Sequence, residues 1–318
     1  MVFPRVLAAL VASGALLIPQ QEELPAPIKV DVDVVNILAA VRDKKGALVS
    51  SLSKEDFVIT EDGAAQTIKY FSRETDLPLT IGLLVDVSRS QENLIEIEKR
   101  AAHEFFTRVL RPKDMAFLIS FGSDAELLQD HTGSPRLLQA GLEKLRVGSD
   151  PAGPHPGPVP TAHTPRGTVL YDAVYLAATE KLGREVGRKA IVAITDGVDM
   201  GSRVKLEEAI EAAHRADTVI YSIYYVDARA YGGFYHPSDS SLKKLSEETG
   251  GRVFRVDRKH TLPQIFEELQ QEMRSQYALG YTPANGRKGG GFRRIEVRAR
   301  DKSLKVQARK GYYAAEGG

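Results

Sequence analysis

The chain predicts an α/β fold in which a doubly wound, mostly parallel sheet is inserted into a β-sandwich-like domain formed by both termini. Three observations carry this expectation. The aliphatic runs Ile81–Val85 and Ala190–Ile194 contain no charge and lead into Asp86 and Asp196; such runs read as strands covered on both faces. Across 77–274 they alternate with stretches of helical period, the pattern of a parallel sheet flanked by helices. Short alternating β-runs occupy 28–76 and 275–313, and each set has too few strands to bury a sheet face alone.

Taken in order, Met1 to Arg5 is a short basic start and Val6–Ile18 an apolar run of signal-peptide length, too short to span a bilayer comfortably. Residues 1–20 are read as a signal peptide, with Ala12, Gly14 and Ala15 as small residues for cleavage and an uncleaved anchor as the alternative. A secreted or periplasmic protein with no membrane span after signal removal follows. Residues 19–27 are a polar, proline-rich tether. Ile28, Val30, Val32 and Val34 alternate with Lys29, Asp31 and Asp33 as a half-exposed strand that continues into Val35–Val41. Phe57–Thr60 and Ile68–Phe71 are strands, with Glu61-Asp62-Gly63 a hairpin turn.

The strand ending at Asp86 passes through Val87-Ser88-Arg89-Ser90 into a helix whose apolar positions include Leu94, Ile95, Ala101, Ala102, Phe105, Phe106 and Val109. Then come a strand Met115–Phe121, an antiparallel edge run around Ala125–Gln129, a helix from Pro135 to Leu145 and a helix opening at Thr168. Beyond the Asp196 strand follow a helix Val204–Arg215, a strand Thr218–Val226, a helix Ser240–Thr249, a strand Arg252–Val256 and a helix Leu262–Arg274. The second β-set comprises Ser275–Tyr281, Phe292–Arg300 and Leu304–Arg309. Arg287-Lys288 with Arg293-Arg294 reads as a solvated hairpin tip. Two loops break the rhythm near the carboxyl edge of the sheet: the proline-rich 147–167, and 227–239, which holds Arg229, Tyr231, Phe234, Tyr235 and His236.

Open α/β sheets bind ligands at that edge. Asp86-x-Ser88-x-Ser90 can turn three hard oxygens to one side, a donor set suited to Mg²⁺. Alone it is weak, arising by chance in roughly one chain in ten at ordinary Ser usage. Two further loops bring a hydroxyl and a carboxylate to the same edge, Thr168 at a helix start and Asp196 at a strand end. Asp199 either supports the third loop or caps the segment from Ser202, and Asp172 reads as an exposed or locally bonded carboxylate.

In order and context, Asp86, Ser88, Ser90, Thr168 and Asp196 resemble the metal-ion-dependent adhesion site of the von Willebrand factor type A family, whose sheet is Rossmann-like. Lys54-Glu55-Asp56-Phe57, Glu61-Asp62-Gly63, Tyr277-Ala278-Leu279-Gly280-Tyr281-Thr282-Pro283 and Arg309-Lys310-Gly311-Tyr312-Tyr313 narrow the resemblance to the bacterial secreted branch called VWFA-related proteins. It covers roughly residues 28 to 313, with 77–274 the A-like domain. Arg89 stands where the family most often has Gly. The resemblance implies a bound Mg²⁺, or Mn²⁺ or Ca²⁺, and a protein partner whose acidic side chain completes the octahedron. Arg89, Tyr231, Phe234 and Tyr235 are the candidate partner contacts.

Composition excludes other classes. The 318 residues carry a net charge of +1, from 43 basic and 42 acidic side chains with no long single-sign block, so nothing marks a nucleic-acid surface. There is no cysteine, hence no disulfide, thiolate metal site or cysteine nucleophile. The seven histidines show no metal-ligand spacing, and neither Ser88 nor Ser90 lies in a nucleophile elbow. The expected function is therefore a secreted, metal-dependent protein-binding module for adhesion or assembly, with no catalytic residue and no enzyme activity. A metal-assisted hydrolase and a module whose ion only staples three loops are the alternatives.

Overall fold

Hydrophobic runs without alternation require cover on both faces, and the six-stranded sheet supplies it. The computed structural model describes residues 34–73, 77–148, 167–233, 237–284 and 290–314. The signal, the tether, most of the Ile28–Val34 run, most of the 147–167 loop, Phe234, Tyr235 and Arg287-Lys288 lie outside the described residues.

The chain begins with β1 (Val35–Arg42), β2 (Phe57–Glu61), β3 (Ala64–Gln66) and β4 (Tyr70–Ser72). The α/β part runs β5 (Leu79–Asp86), α1 (Ile95–Val109), β6 (Met115–Phe121), β7 (Ala125–Thr132), α2 (Pro135–Leu142), α3 (Leu170–Leu176), β8 (Arg188–Thr195), α4 (Leu206–Arg215), β9 (Thr218–Tyr224), α5 (Ser240–Thr249), β10 (Val253–Arg255) and α6 (Leu262–Arg274). It closes with β11 (Tyr277–Tyr281), β12 (Phe292–Ala299), β13 (Lys305–Ala308) and β14 (Gly311–Tyr313). Among the described residues no helix is long and apolar enough to cross a membrane.

The central sheet has the order β10-β9-β8-β5-β6-β7, parallel except for the antiparallel edge strand β7. Successive side chains on a strand face opposite ways. Ile81, Leu83 and Val85 of β5 pack with Phe105, Phe106, Leu138, Phe266 and Leu269 from α1, α2 and α6. Leu84 packs on the other face with Leu170, Val174, Ala209, Leu242 and Leu245 from α3, α4 and α5. Gly82 is small for a reason of space: a Cβ there would lie 2.3 Å from the Phe117 ring of the neighbouring strand. The doubly wound reading of 77–274 thus describes the fold. Local ends differ: α2 stops at Leu142, and α3 passes into a π-helical stretch, Ala177–Leu182.

Strands from both ends of the chain interleave in two further sheets, β13-β1-β11-β4 and β14-β12-β2-β3. Val35, Ile37, Ala39 and Val41 of β1 meet Phe57 and Ile59 of β2, Tyr277 and Tyr281 of β11 and Ile295 of β12 in one core. The apolar run Ile37–Val41 within β1 has a cause here, because Leu38 on its other face packs against the α1/α6 side of the central sheet. The flanking motifs converge in this sandwich. The Glu61 carboxylate is 3 % exposed and accepts the Tyr281 hydroxyl at 2.6 Å and the Tyr312 hydroxyl at 2.9 Å, with Arg293 at 3.5 Å from its other oxygen. A carboxylate buried between sheets is tolerable only when its oxygens are bonded in this way.

Candidate metal centre

β5 and β8 are adjacent parallel strands, so Asp86 and the residue following Thr195 reach the carboxyl edge side by side. Asp86 is wholly buried. Its Oδ1 accepts the Ser88 backbone N–H at 2.9 Å and its Oδ2 the Thr195 hydroxyl at 2.6 Å. The chain then makes one 3₁₀ turn, Arg89–Gln91, before α1. That turn carries the two serine hydroxyls inward, 2.9 Å apart, and leaves Arg89 exposed.

Asp196 receives the rest of the constellation. Its Oδ2 accepts the Ser90 hydroxyl at 2.5 Å, the Gln91 amide at 3.2 Å and the Tyr231 hydroxyl at 2.6 Å, while Oδ1 accepts Val198 N–H at 3.1 Å. Gly197 has φ +82°, the left-handed conformation that favours glycine, and its N–H donates to the Thr195 hydroxyl at 3.0 Å. Thr195 thereby holds Asp86 and the turn after Asp196 with one oxygen.

Thr168, 8 % exposed, is tied in through its backbone: its carbonyl accepts Met200 N–H at 3.1 Å and Gly201 N–H at 3.2 Å. Asp199 and Ser202 cap the neighbouring helix, both accepting Tyr171 N–H. Asp172 reciprocates by accepting the N–H groups of Arg203 and Val204. Asp199 thus caps the start of α3 while also bonding Ser202 through its hydroxyl and its backbone N–H.

The electrostatics are one-sided. Burial, followed by the Asp196 charge, pushes the Asp86 carboxyl up to about 7, against the bonds from Ser88 and Thr195. On α1, Glu98 is 1 % exposed, and burial, then Asp86 and Asp196, push its carboxyl well up. Neither Glu98 oxygen has a hydrogen-bond partner among the described residues. Burial and the bond to Asp196 likewise raise the Tyr231 hydroxyl.

This set fits a hard divalent cation. Among the described residues no cluster of three or more histidine or carboxylate side chains could hold a metal, so any site here depends on hydroxyls. The Ser88–Ser90, Ser90–Asp196 and Tyr231–Asp196 oxygen separations are 2.9, 2.5 and 2.6 Å, hydrogen-bond lengths that gather neutral hydroxyls and a carboxylate, the hard oxygen donors such an ion takes.

Of the residues singled out by sequence, Asp86, Ser88, Ser90 and Asp196 are joined by one run of hydrogen bonds, and Thr168 is tied by its backbone to Met200 and Gly201, a few residues beyond Asp196. Tyr231 reaches Asp196, while Phe234 and Tyr235 lie outside the described residues. Thr195, Gln91 and Glu98 escaped notice. Glu98 had a signal, being a charge three residues beyond Ile95 and three before Ala101 on the buried stripe of α1. Thr195 had only its place at a buried strand end, and Gln91 had none.

An open α/β sheet with an oxygen-donor cluster at its carboxyl edge is the class that these features define. The fold is that of a von Willebrand factor type A protein. The von Willebrand factor type A structure from Catenulispora acidiphila matches with a TM-score of 0.50 at 10% identity, over 91% of this chain and 74% of that one. BatB from Bacteroides thetaiotaomicron has a TM-score of 0.46 and 18% identity, covering 61% of this chain and 97% of its own. Proximal thread matrix protein 1 from the mussel byssus, with a zinc-occupied MIDAS motif, has a TM-score of 0.48 and 16% identity, covering 67% of this chain and 49% of its own. At such identities the likeness is one of fold. No family model and no curated protein sequence matches the chain.

Proposed function

We propose that the chain is a secreted or periplasmic protein-binding module, of the VWFA-related type, that engages an acidic partner through a divalent cation. The observation that carries this reading is the hydrogen-bonded run of oxygens from the buried Asp86 through the half-buried Ser88 and Ser90 to the buried Asp196, where burial first and then neighbouring carboxylates raise Asp86 and Glu98. Ser88 and Ser90 would hold the ion directly, with Asp86, Thr168 and Asp196 direct or through water. Mg²⁺ suits this donor set, with Mn²⁺ and Ca²⁺ as alternatives. When bound, the ion supplies an electrophilic position open to a carboxylate.

The chain's own residues do the remaining work. Thr195 fixes the orientation of Asp86, and Gln91 steadies Asp196 while also donating to the Tyr225 carbonyl at 3.3 Å. Such outer-sphere bonds keep ligands in place. Arg89, exposed at the rim, offers a guanidinium fork to a partner carboxylate. The serine hydroxyls bond to each other and that of Ser90 donates to Asp196, an arrangement for ligation rather than for nucleophilic attack. Binding, not catalysis, is the proposed activity, presented on a sandwich built from 28–76 and 275–313.

Calorimetry with Mg²⁺ on the full chain, followed by capture of partners from envelope extract by wild type and Asp86→Ala, with and without chelator, tests this. Chelator and mutation should each abolish capture. A partner held equally well by all four samples would overturn the reading.

A further inference from the structure

We propose that Tyr231 is a built-in cap of the metal centre: its hydroxyl holds the outward-facing coordination position until an acidic group of the partner displaces it. This rests on the metal-centre reading above and adds a residue that the five-residue motif does not contain.

The phenol oxygen lies 2.6 Å from Asp196 Oδ2 and is also hydrogen-bonded to Ser90, so it touches two of the proposed ligands at once. A tyrosine that merely covered a loop would leave its hydroxyl in water, as amphipathic side chains do. Here the polar tip is turned into the oxygen cluster.

The segment that delivers it is held at several points. Beyond β9, Tyr225 N–H donates to the Thr195 carbonyl at 3.0 Å, which fastens the strand end beside Asp196. Asp227 accepts the Asn93 amide at 2.7 Å and the Arg229 N–H at 2.9 Å, tying the turn to the chain just past Ser90. Gly233 N–H closes on the Ala228 carbonyl at 2.9 Å, and Gly232 and Gly233 take φ of +66° and +78°. Two successive positive-φ residues follow Tyr231, a conformation that side-chain-bearing residues rarely adopt.

The chemistry suits a removable cap. A neutral phenol is a hard oxygen donor without charge, so it excludes water from the position yet yields to a carboxylate, which adds a full negative charge toward the ion. The module would then bind its partner by exchange of one oxygen for another, with selectivity against weak or neutral ligands.

The test uses the full chain loaded with Mn²⁺ and reads water-proton relaxation, which reports exchangeable water on the ion. Tyr231→Phe should bind Mn²⁺ and carry about one more exchangeable water than wild type, since an octahedral ion left with one ligand fewer takes a water. Asn93→Ala, which keeps the phenol but releases the turn, should raise the relaxation toward the same value and serves if Tyr231→Phe does not fold. Equal relaxation per bound ion in wild type and whichever of these variants folds would overturn the cap while leaving the metal centre standing. A wild type that takes up no Mn²⁺ at all would overturn the metal centre and the cap with it.

Discussion

At the carboxyl edge of the central sheet Asp86, Asp196 and Glu98 are buried near one another, and the bonds that Asp86 and Asp196 receive come from hydroxyls, an amide and backbone N–H groups. At the amino edge of the same sheet buried carboxylates are matched by guanidinium groups. Glu272 on α6 meets Arg42 of β1 at 2.5 Å and Arg252 at 2.7 Å, and Gln307 of β13 donates to it at 2.7 Å. Asp114 takes Arg274 at 2.5 Å and the N–H groups of Leu79 and Arg111. Burial pushes the Asp114 carboxyl up, yet Arg274 and those N–H groups outweigh it and hold it below the ordinary range. Burial acts alike at both edges; the partners decide the outcome. One edge is neutralised by guanidinium groups that also tie the sandwich to the sheet, whereas at the other the charges acting on Asp86 and Glu98 are further carboxylates, so burial and repulsion both favour the protonated forms.

The largest effect should come from damaging the neutralised edge. Glu272→Ala leaves Arg42 and Arg252 facing a gap and should cost about 3–5 kcal/mol in urea unfolding, as breaking a buried pair does. If stability moves by less than the error of the measurement, the contrast between the edges is wrong. Next in size, Asp86→Ala should weaken Mg²⁺ binding by more than the roughly 10–100-fold that loss of an outer-sphere partner costs. Far-UV circular dichroism should stay unchanged, because the charge acting on Asp86 is the carboxylate of Asp196, and the substitution removes that repulsion.

Thr195→Val sharpens the same point at lower amplitude. It removes the hydroxyl that orients Asp86, so calorimetry should show Mg²⁺ affinity reduced by about 10–100-fold with both carboxylates intact. Unaltered affinity would mean that Asp86 needs no orienting bond.

The pH response should also separate the edges. The folded value of Asp86, about 7, lies above its unfolded 3.8, so its contribution to stability is full at low pH and is lost as pH rises through about 7. Asp114 has the opposite sign: its lowered folded value gives stability above the unfolded value that disappears on acidification. His214, pushed down to about 4 first by burial and then by Arg309, also loses stability on acidification and would obscure a plain comparison. In chelator, therefore, wild type should fall behind Asp86→Asn as pH rises from 5 toward 7, by up to about 1.4 kcal/mol for each step of one in pH, the slope set by a single proton held only in the folded state. Saturating Mg²⁺ should remove the gap. The smallest change belongs to Glu98→Gln, which replaces a carboxyl that has no hydrogen-bond partner among the described residues and should alter unfolding by no more than about 1 kcal/mol.

The sequence by itself determined what depends on neighbours along the chain. Aliphatic runs such as Leu83-Leu84-Val85 announce a strand covered on both faces, and the helical period from Ile95 to Val109 announces the helix that covers it. Asp86, Ser88 and Ser90 are legible as one loop because their oxygens sit at alternate positions of a single turn. Only the tertiary structure decided which groups from elsewhere close on that loop. Thr195 and Gln91 are ordinary residues until β5 and β8 lie side by side, and Tyr231 is one aromatic of a loop until a turn pinned by Asn93 sets its hydroxyl on Asp196. Glu61 joins Tyr281 and Tyr312 across 220 and 251 positions of the chain, and Arg42 joins Glu272 across 230. A hydrogen bond has a reach of about 3 Å and a strict direction. Periodicity carries neither across so long a separation, so these partners exist only once the chain has packed.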